Sequence, residues 1–237
     1  MPELQMTMAL LLSGLIGVSL GLLGGGGSIL AVPVLIYVAG IEAKEAIAMS
    51  LAIVGGTSLT ASFLHHRSGQ LDVRVAGIFG GAGVSGALLG AQLTPLVSSR
   101  ILLCLFAGMM LVIGAVMLWR KQYQEQNGAV RMPVVLAAGV VVGAVTGFLG
   151  VGGGFLVVPA LVLLARLPMR LAVGTSLLVI AINSAAGLAG HLGQGHLPWT
   201  MTLAFTAVAI VGSLVGEKFV SKVQPATLRT AFAVFVI

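Results

Sequence analysis

Seven apolar runs, each close to the length of a membrane-spanning helix, recur along this 237-residue chain and constrain its fold more than any other feature. A helix needs about 20 predominantly apolar residues to cross the ~30 Å hydrocarbon core of a bilayer. Apolar residues make up 58% of the chain and charged residues 8%, whereas about 25% of the residues in a soluble domain are charged. We therefore expect an all-α polytopic membrane protein. The runs are Leu4–Leu23, Ala46–Leu64, Val75–Leu93, Ile101–Trp119, Met132–Leu149, Leu171–Ala189 and Met201–Val215.

Charge and cysteine content argue against several other classes of protein. The net charge of +6 comes from twelve basic residues scattered singly between apolar runs, which is not the pattern of a nucleic-acid interface. Glu3, with no Lys or Arg, flanks the first run, so we expect a retained helix and not a cleaved signal peptide. The single cysteine, Cys104, provides neither a disulfide framework nor a cysteine metal cluster. We expect no cofactor and no metal, and we expect the lipid bilayer and a small-anion substrate as partners.

An ungapped offset of 126 residues relates the two halves of the chain. Chance similarity between apolar segments would not bring proline, serine and histidine into register, so we interpret the chain as a duplicated unit. The predicted organisation is a first repeat at 1–121, a cytoplasmic linker at 122–131 and a second repeat at 132–237, whose last helix we expect to be truncated. The matched pairs include Gly17 with Gly143, Pro33 with Pro159, Ser58 with Ser184 and His65 with His191.

The charge of equivalent loops differs between the two copies. The loop Arg67–Arg74 is basic and its counterpart is not, whereas Glu42–Glu45 is net acidic and its counterpart, near Arg166–Arg170, is basic. The positive-inside rule is met if the copies are inverted in the membrane. On that model the cytoplasmic side holds Gly69 and Gln126, and the external side holds Gly193 and the N-terminus.

Inversion requires an odd number of crossings in each copy. Five crossings result if the short segments Ile29–Ala39 and Phe155–Ala165 are counted. Eleven helical residues rise only about 17 Å, roughly half of the hydrocarbon depth. A parallel arrangement of four plus four crossings therefore stays open, with these segments re-entrant.

Each short segment follows a glycine-rich break, "GLLGGGGSILAVP" at Gly21–Pro33 and "GFLGVGGGFLVVP" at Gly147–Pro159. A broken helix leaves unpaired amides that lipid cannot satisfy, so the break must be packed in protein or line a cavity. Amides at the start of the next helix favour an anion. The alternative is close helix packing, which we also expect of the glycines in Gly77–Gly90. The predicted substrate-binding glycine turns comprise Gly24, Gly25, Gly26, Gly27 and Ser28, and Gly150, Gly152, Gly153 and Gly154.

A nucleotide site is a poorer interpretation of these glycines. No GK[ST] follows either run, and the second copy lacks the acidic residue that a dinucleotide site places about 20 residues downstream.

Polar side chains on the helices after the two breaks are further candidates for substrate binding. Spacings of seven and eight residues place them near one helix face, where their donors suit an oxyanion. The alternative is that each hydroxyl bonds a preceding carbonyl of its own helix. These residues are Ser50, Thr57, Ser58, Thr175, Ser176, Asn183 and Ser184.

Two histidines at helix ends, His65 and His191, are candidates for proton coupling because imidazole titrates near neutral pH. Hydrogen bonding at the membrane boundary is the simpler role for both. No Asp or Glu falls in mid-span, and Glu217 is the closest, so a carboxylate sodium site is not expected.

The repeated glycine motif with its downstream proline, at Gly24–Pro33 and Gly150–Pro159, resembles that of the TauE/SafE family of sulfite exporters. In each copy a small polar pair follows at the next helix, Met49–Ser50 and Thr175–Ser176, and the similarity covers essentially the whole chain. The resemblance implies a transporter of the plasma (inner) membrane, not an enzyme. Its implied substrates are small sulfur-containing anions such as sulfite, sulfate or organosulfonates.

Two functions from different classes stay open. The first is a secondary transporter, either exporter or permease, of small anions. The second is a passive channel for an anion or small solute, with the glycine turns as its constriction. A membrane enzyme is disfavoured because no nucleophile–base pair or metal-ligand cluster recurs in the spans. The direction of transport, the coupling ion and assembly into a homo-oligomer are not fixed by the sequence.

Overall fold

In the computed structural model the chain is described over residues 2–92, 99–119, 131–149, 154–191, 198–220, 223 and 225–236, and within these ranges it is helical with short connections and no strands. A 3-10 turn at Gly25–Gly27 separates α1 from α2, and α2 continues into a π-helical turn at Val34–Val38. The α-helices are α1 Pro2–Leu23, α2 Ser28–Pro33, α3 Ala43–Arg67, α4 Val73–Ala91, α5 Ser99–Trp119, α6 Met132–Leu149, α7 Gly154–Leu163, α8 Met169–His191, α9 Trp199–Val220 and α10 Pro225–Val236.

Five of the described helices are long and apolar enough to cross a membrane, so the prediction of an all-α, multi-pass membrane protein is confirmed. Shorter apolar helices include α7 and the helical segment Gly25–Val38. The predicted linker, at 122–131, lies almost entirely outside the described residues. The five spans are Gln5–Leu23, Glu45–Arg67, Val73–Gly90, Met169–Ala189 and Trp199–Phe219.

Two helix pairs, α1 with α9 and α4 with α6, pack through small residues. A methyl group added to Gly17 would overlap the carbonyl oxygen of Ala209, and one added to Gly143 would overlap that of Gly83. Backbones in such direct contact are typical of membrane helices that associate through small residues. The contacts of one pair recur in the other at an offset of 126 residues. They are Gly17–Ala209 and Gly143–Gly83, Gly21–Ser213 and Gly147–Ala87, Gly212–Gly14 and Gly86–Val140, and Gly216–Val18 and Gly90–Ala144.

The direction of the helices follows from the order of these contacts. Gly14 lies against Gly212 and Val18 against Gly216, so the residue numbers rise together and α1 runs parallel to α9. The same order along α4 and α6 makes that pair parallel.

The helices α3 and α8 cross in the opposite sense. A Cβ on Gly187 would lie 3.3 Å from Leu51, one on Gly55 would lie 3.0 Å from Cβ of Ser184, and one on Gly174 would lie 3.0 Å from Cβ of His65. Residue numbers in α3 rise while those in α8 fall, so the two helices are antiparallel.

The largest buried hydrophobic cluster surrounds α7. Every described side chain from Phe155 to Val162 is buried, and Phe79 of α4 and Phe232 of α10 belong to the same cluster. The helix that follows the second glycine break therefore lies inside the protein, with neighbouring helices between it and the surface.

Candidate functional site

The first glycine turn contacts Gly154, the last residue of the second glycine run, in the interior of the protein. Gly24 to Gly27 are buried, and the N–H of Gly24 makes the last hydrogen bond of α1, to the carbonyl of Leu20 at 2.9 Å. A methyl group on Gly25 would overlap the carbonyl oxygen of Gly154, and one on Gly154 would lie 2.6 Å from Oγ of Ser28. Ser28 and Gly154, which occupy equivalent positions in the sequence, are therefore in contact.

Helix α8 lies beside Gly24 and Gly154. A Cβ on Gly24 would lie 2.6 Å from Oγ of Ser176 and 3.3 Å from the carbonyl oxygen of Val173, and a Cβ on Gly154 would lie 3.2 Å from Ile180. Gly24 also has φ 71, a left-handed conformation that costs a residue with a side chain free energy. Only glycine fits this position without displacement of its neighbours.

Two amides of the first glycine turn are left without an acceptor by the geometry of the 3-10 helix itself. Each bond in such a helix runs back three residues, so the N–H groups of Gly25 and Gly26 have no acceptor within their own turn. Of the second turn, only Gly154 is described. The predicted residues Gly150, Gly152 and Gly153 lie outside the described residues.

Three candidate serines donate their hydroxyl protons to the backbone carbonyl three residues earlier. Ser28 donates to the carbonyl of Gly25 at 2.7 Å, Ser50 to that of Ile47 at 2.8 Å, and Ser176 to that of Val173 at 2.7 Å. A hydroxyl in this state must rotate before it can donate to an anion. This is the helix-bonding role that the sequence left open as an alternative.

Thr175 is fully buried and joins two parts of the chain that are distant in sequence. Its Oγ1 accepts a hydrogen bond from the N–H of Asp72 at 3.1 Å, which fixes the loop between α3 and α4 against α8. The carboxylate of Asp72 in turn accepts from the N–H of Val75 at 2.9 Å and caps α4.

Near the crossing of α3 and α8, buried polar atoms have no hydrogen-bond partner. Thr57 Oγ1, Ser58 Oγ and Asn183 Oδ1 are all in this state, and the side chains of Thr57 and Ser58 are fully buried. Ser184 lies beside Gly55 at the same crossing, and Gly83 of α4 lies beside the amide of Asn183. A buried polar atom without a partner costs about 1–3 kcal/mol. A bound molecule that completes these hydrogen bonds would remove that cost.

His65 is buried near the C-terminal end of α3, with 1% of its surface exposed. The side chain of Gln70 lies beside the imidazole, yet neither ring nitrogen has a hydrogen bond of normal geometry. The side chain of the second candidate, His191, is not among those described.

Two observations lie outside the residues singled out from the sequence. Ser19 of α1 has a buried hydroxyl with no hydrogen-bond partner, and a lone serine in an apolar run gave only a weak signal for it. Among the described residues no group of three or more His, Cys, Asp or Glu side chains is placed to hold a metal ion.

A buried apolar helix, a helix break enclosed by protein at Gly24–Gly27 and buried, unpartnered polar groups on α3 and α8 are the features of a polytopic membrane transporter. A family model described as "Sulfite exporter TauE/SafE" matches residues 9–237. The chain therefore belongs to the TauE/SafE family, as its glycine motifs predicted.

Curated relatives carry the same general description. A "Probable membrane transporter protein" from Xylella fastidiosa (strain 9a5c) is 35% identical over 232 residues, which cover 94% of this chain and 89% of the relative. The "Probable membrane transporter protein YdhB" of Bacillus subtilis (strain 168) is 26% identical over 223 residues, which cover 92% and 91% of the two chains. No solved structure shows a significant match. The protein is thus a multi-pass membrane transporter.

Proposed function

We propose that the protein is a secondary transporter of small sulfur-containing anions, such as sulfite, sulfate or an organosulfonate. Its binding site comprises the two glycine turns and the polar face formed where α3 and α8 cross. The observation that carries this proposal is the set of buried, unpartnered polar atoms on Thr57, Ser58 and Asn183. The family description supports the class of substrate.

The chemistry of this site suits a small anion. Hydroxyl protons and glycine amides are donors, and rotation of the Asn183 amide exchanges its oxygen for an NH2 group, since the two ends are alike in shape. A hydrogen bond to a charged group is worth about 1.5–3 kcal/mol, more than a bond between neutral groups. Because these ligands are neutral, the anion is held by dipoles and can also be released, as transport requires.

We further propose that the chain is a pair of inverted repeats with five crossings each. The α1–α9 and α4–α6 contacts, repeated at the 126-residue offset, support the duplication. Support for the inversion comes from α3 and α8, which are equivalent in sequence but antiparallel. Parallel repeats, related by an axis along the membrane normal, would keep equivalent helices in the same direction.

Proton coupling through His65 is part of the same proposal. The imidazole is enclosed, lacks hydrogen-bond partners and lies against the loop that Thr175 fixes to α8. A proton taken up there would place a positive charge on the helix that carries Thr57 and Ser58. Such a charge would favour the anion-bound state.

The test compares Thr57→Val and Ser58→Ala with a matched control, Thr146→Val. Thr146 is also buried, but its hydroxyl donates to the carbonyl of Gly143 at 3.0 Å within α6. We expect each site variant to weaken sulfite binding about tenfold or more, since the lost hydrogen bond is to a charged ligand, and the control to bind normally. Sulfite-dependent thermal stabilisation in detergent gives the affinity.

Flux measured in liposomes separates the transporter from the channel. Saturable uptake that weakens in the two site variants supports the proposal. Non-saturable flux would instead favour the passive channel. Normal sulfite protection in both Thr57→Val and Ser58→Ala would mean that the anion does not bind at the crossing.

A further inference from the structure

A groove with a volume of about 490 Å³ opens on the surface of the protein at the C-terminal half of α3. It is distinct from the buried turn at Gly24–Gly27, because its walls come from the C-terminal half of α3, the loop and first residue of α4, and one residue of α8. The residues that carry the following argument are Leu59, Phe63, His66, Leu71, Val73 and Leu178.

The walls of the groove are suited to hydrocarbon. Leu59, Phe63 and Val73 are each more than half exposed, and two hydroxyls in the wall, those of Thr60 and Ser62, both donate to carbonyls of α3. These hydroxyl protons are therefore not available to a polar ligand. A flexible acyl chain fits such a surface, whereas a small polar solute does not.

The mouth of the groove is basic. His66 lines it, and the exposed side chains of Arg67 and Arg74 lie at the adjoining ends of α3 and α4. The guanidinium of Arg67 lies over the ring of Phe63, 4.7 Å from its centre, so the charge is held directly above an apolar wall. The acidic group in this loop, Asp72, caps α4 and leaves the mouth with a net positive charge.

The second half of the sequence has no counterpart to this basic, aromatic mouth. With the offset of 126 residues, the positions equivalent to Phe63, His66, Arg67 and Arg74 hold Ala189, Leu192, Gly193 and Thr200. The basic mouth of the groove is therefore present on one side of the membrane only, and that is the side with the more basic loops. Basic loops are typical of the cytoplasmic side, where anionic lipids concentrate.

From the apolar walls and the basic mouth together, we infer that this groove binds one anionic phospholipid. An acyl chain lies along Leu59, Phe63 and Val73, and the phosphate of the headgroup lies at Arg67 and Arg74. The bound lipid stabilises the connection between α3 and α4. This role does not depend on which solute is transported.

The experiment measures lipid binding by native mass spectrometry of the full chain, purified in detergent and titrated with phosphatidylglycerol or phosphatidylcholine. We expect the first phosphatidylglycerol molecule to bind more tightly than further molecules of the same lipid. It should also bind more tightly than phosphatidylcholine. Arg67→Ala and Arg74→Ala should each weaken that binding about fivefold, since a basic residue near an anionic membrane surface contributes about 1 kcal/mol. Arg131→Ala is the matched control, because Arg131 is also exposed but directly precedes α6, away in sequence from the α3–α4 corner.

A second variant, Val73→Trp, fills the groove and leaves both arginines in place. It should also weaken phosphatidylglycerol binding, while an excess of inorganic phosphate should not displace the lipid from the wild-type protein. Equal binding of the two lipids, unchanged binding in the Arg67→Ala/Arg74→Ala double variant, or displacement by phosphate would each overturn the inference. Melting of the lipid-free variants checks that they are folded.

Discussion

Gly24 combines a left-handed backbone, φ 71, with neighbours that leave no space for a side chain. Gly40 also has a positive φ, 68, but a Cβ there would meet no atom within 4 Å. The two glycines therefore share a positive φ but differ in the space around an added side chain. Only Gly24 lies at the candidate site.

We expect Gly24→Ala to lower thermal stability clearly more than Gly40→Ala does. Both substitutions place a side chain at a positive φ, at a backbone cost of about 1 kcal/mol or more, but only the first also forces Oγ of Ser176 and the side chain of Val158 to move. The measurements are the unfolding temperature in detergent and sulfite transport per folded molecule. Equal melting temperatures for the two variants would show that the contacts at Gly24 are not tight.

His65 offers a second prediction at this scale. We expect His65→Gln to lose the dependence of net transport on a proton gradient, because glutamine keeps a polar side chain of similar size but does not take up a proton near neutral pH. Exchange of labelled for unlabelled sulfite, which needs no net proton movement, should continue in the same variant. Proton-driven transport at the wild-type rate would remove His65 from the coupling mechanism.

At the scale of the helix, α4 contains glycines with two different roles. A methyl group on Gly86 would overlap the carbonyl oxygen of Val140 in α6, whereas one on Gly77 would meet nothing within 4 Å. The sequence assigned the whole stretch Gly77–Gly90 to helix packing. Packing in fact applies to the glycines that face α6 or α8, and Gly77 faces open space.

We therefore expect opposite effects from the same substitution in α4. Gly77→Ala should be neutral or stabilise the protein by about 0.5–1 kcal/mol, because alanine favours the helix. Gly86→Ala should destabilise it by about 1–3 kcal/mol, because α4 and α6 must move apart. Equilibrium unfolding in detergent gives the free energy of unfolding of both variants. A loss of stability in Gly77→Ala would contradict the finding that Gly77 faces open space.

At the scale of the whole molecule, the proposed inversion of the two repeats fixes the side of the membrane on which each loop lies. We expect cysteines at positions 69 and 193, each introduced into a Cys104→Ala background, to react with an impermeant reagent from opposite sides. Position 69 should be cytoplasmic and position 193 external, because equivalent loops of inverted repeats lie on opposite faces. Labelling of both from one side would rule out the inversion.

The sequence by itself determined the helices and the family. Long apolar runs are a local property that a bilayer imposes on a spanning helix, so predicted runs such as Leu4–Leu23 agree closely with helices such as Pro2–Leu23. The glycine break at Gly24–Gly27 is equally local, because each glycine disfavours the α-helix and four in succession follow the end of α1. These features also carried the resemblance to the TauE/SafE family.

Only the tertiary structure decided what each polar group does. Ser50 and Ser58 are both serines of α3, yet Ser50 donates to its own helix while Ser58 is buried without a partner. Thr175 accepts a hydrogen bond from Asp72, 103 residues away in the chain. Residue type and spacing indicate which hydrogen-bond donors the chain has. The burial of each donor and the partner it finds depend on how distant helices pack. That packing follows from contacts between segments far apart in the sequence.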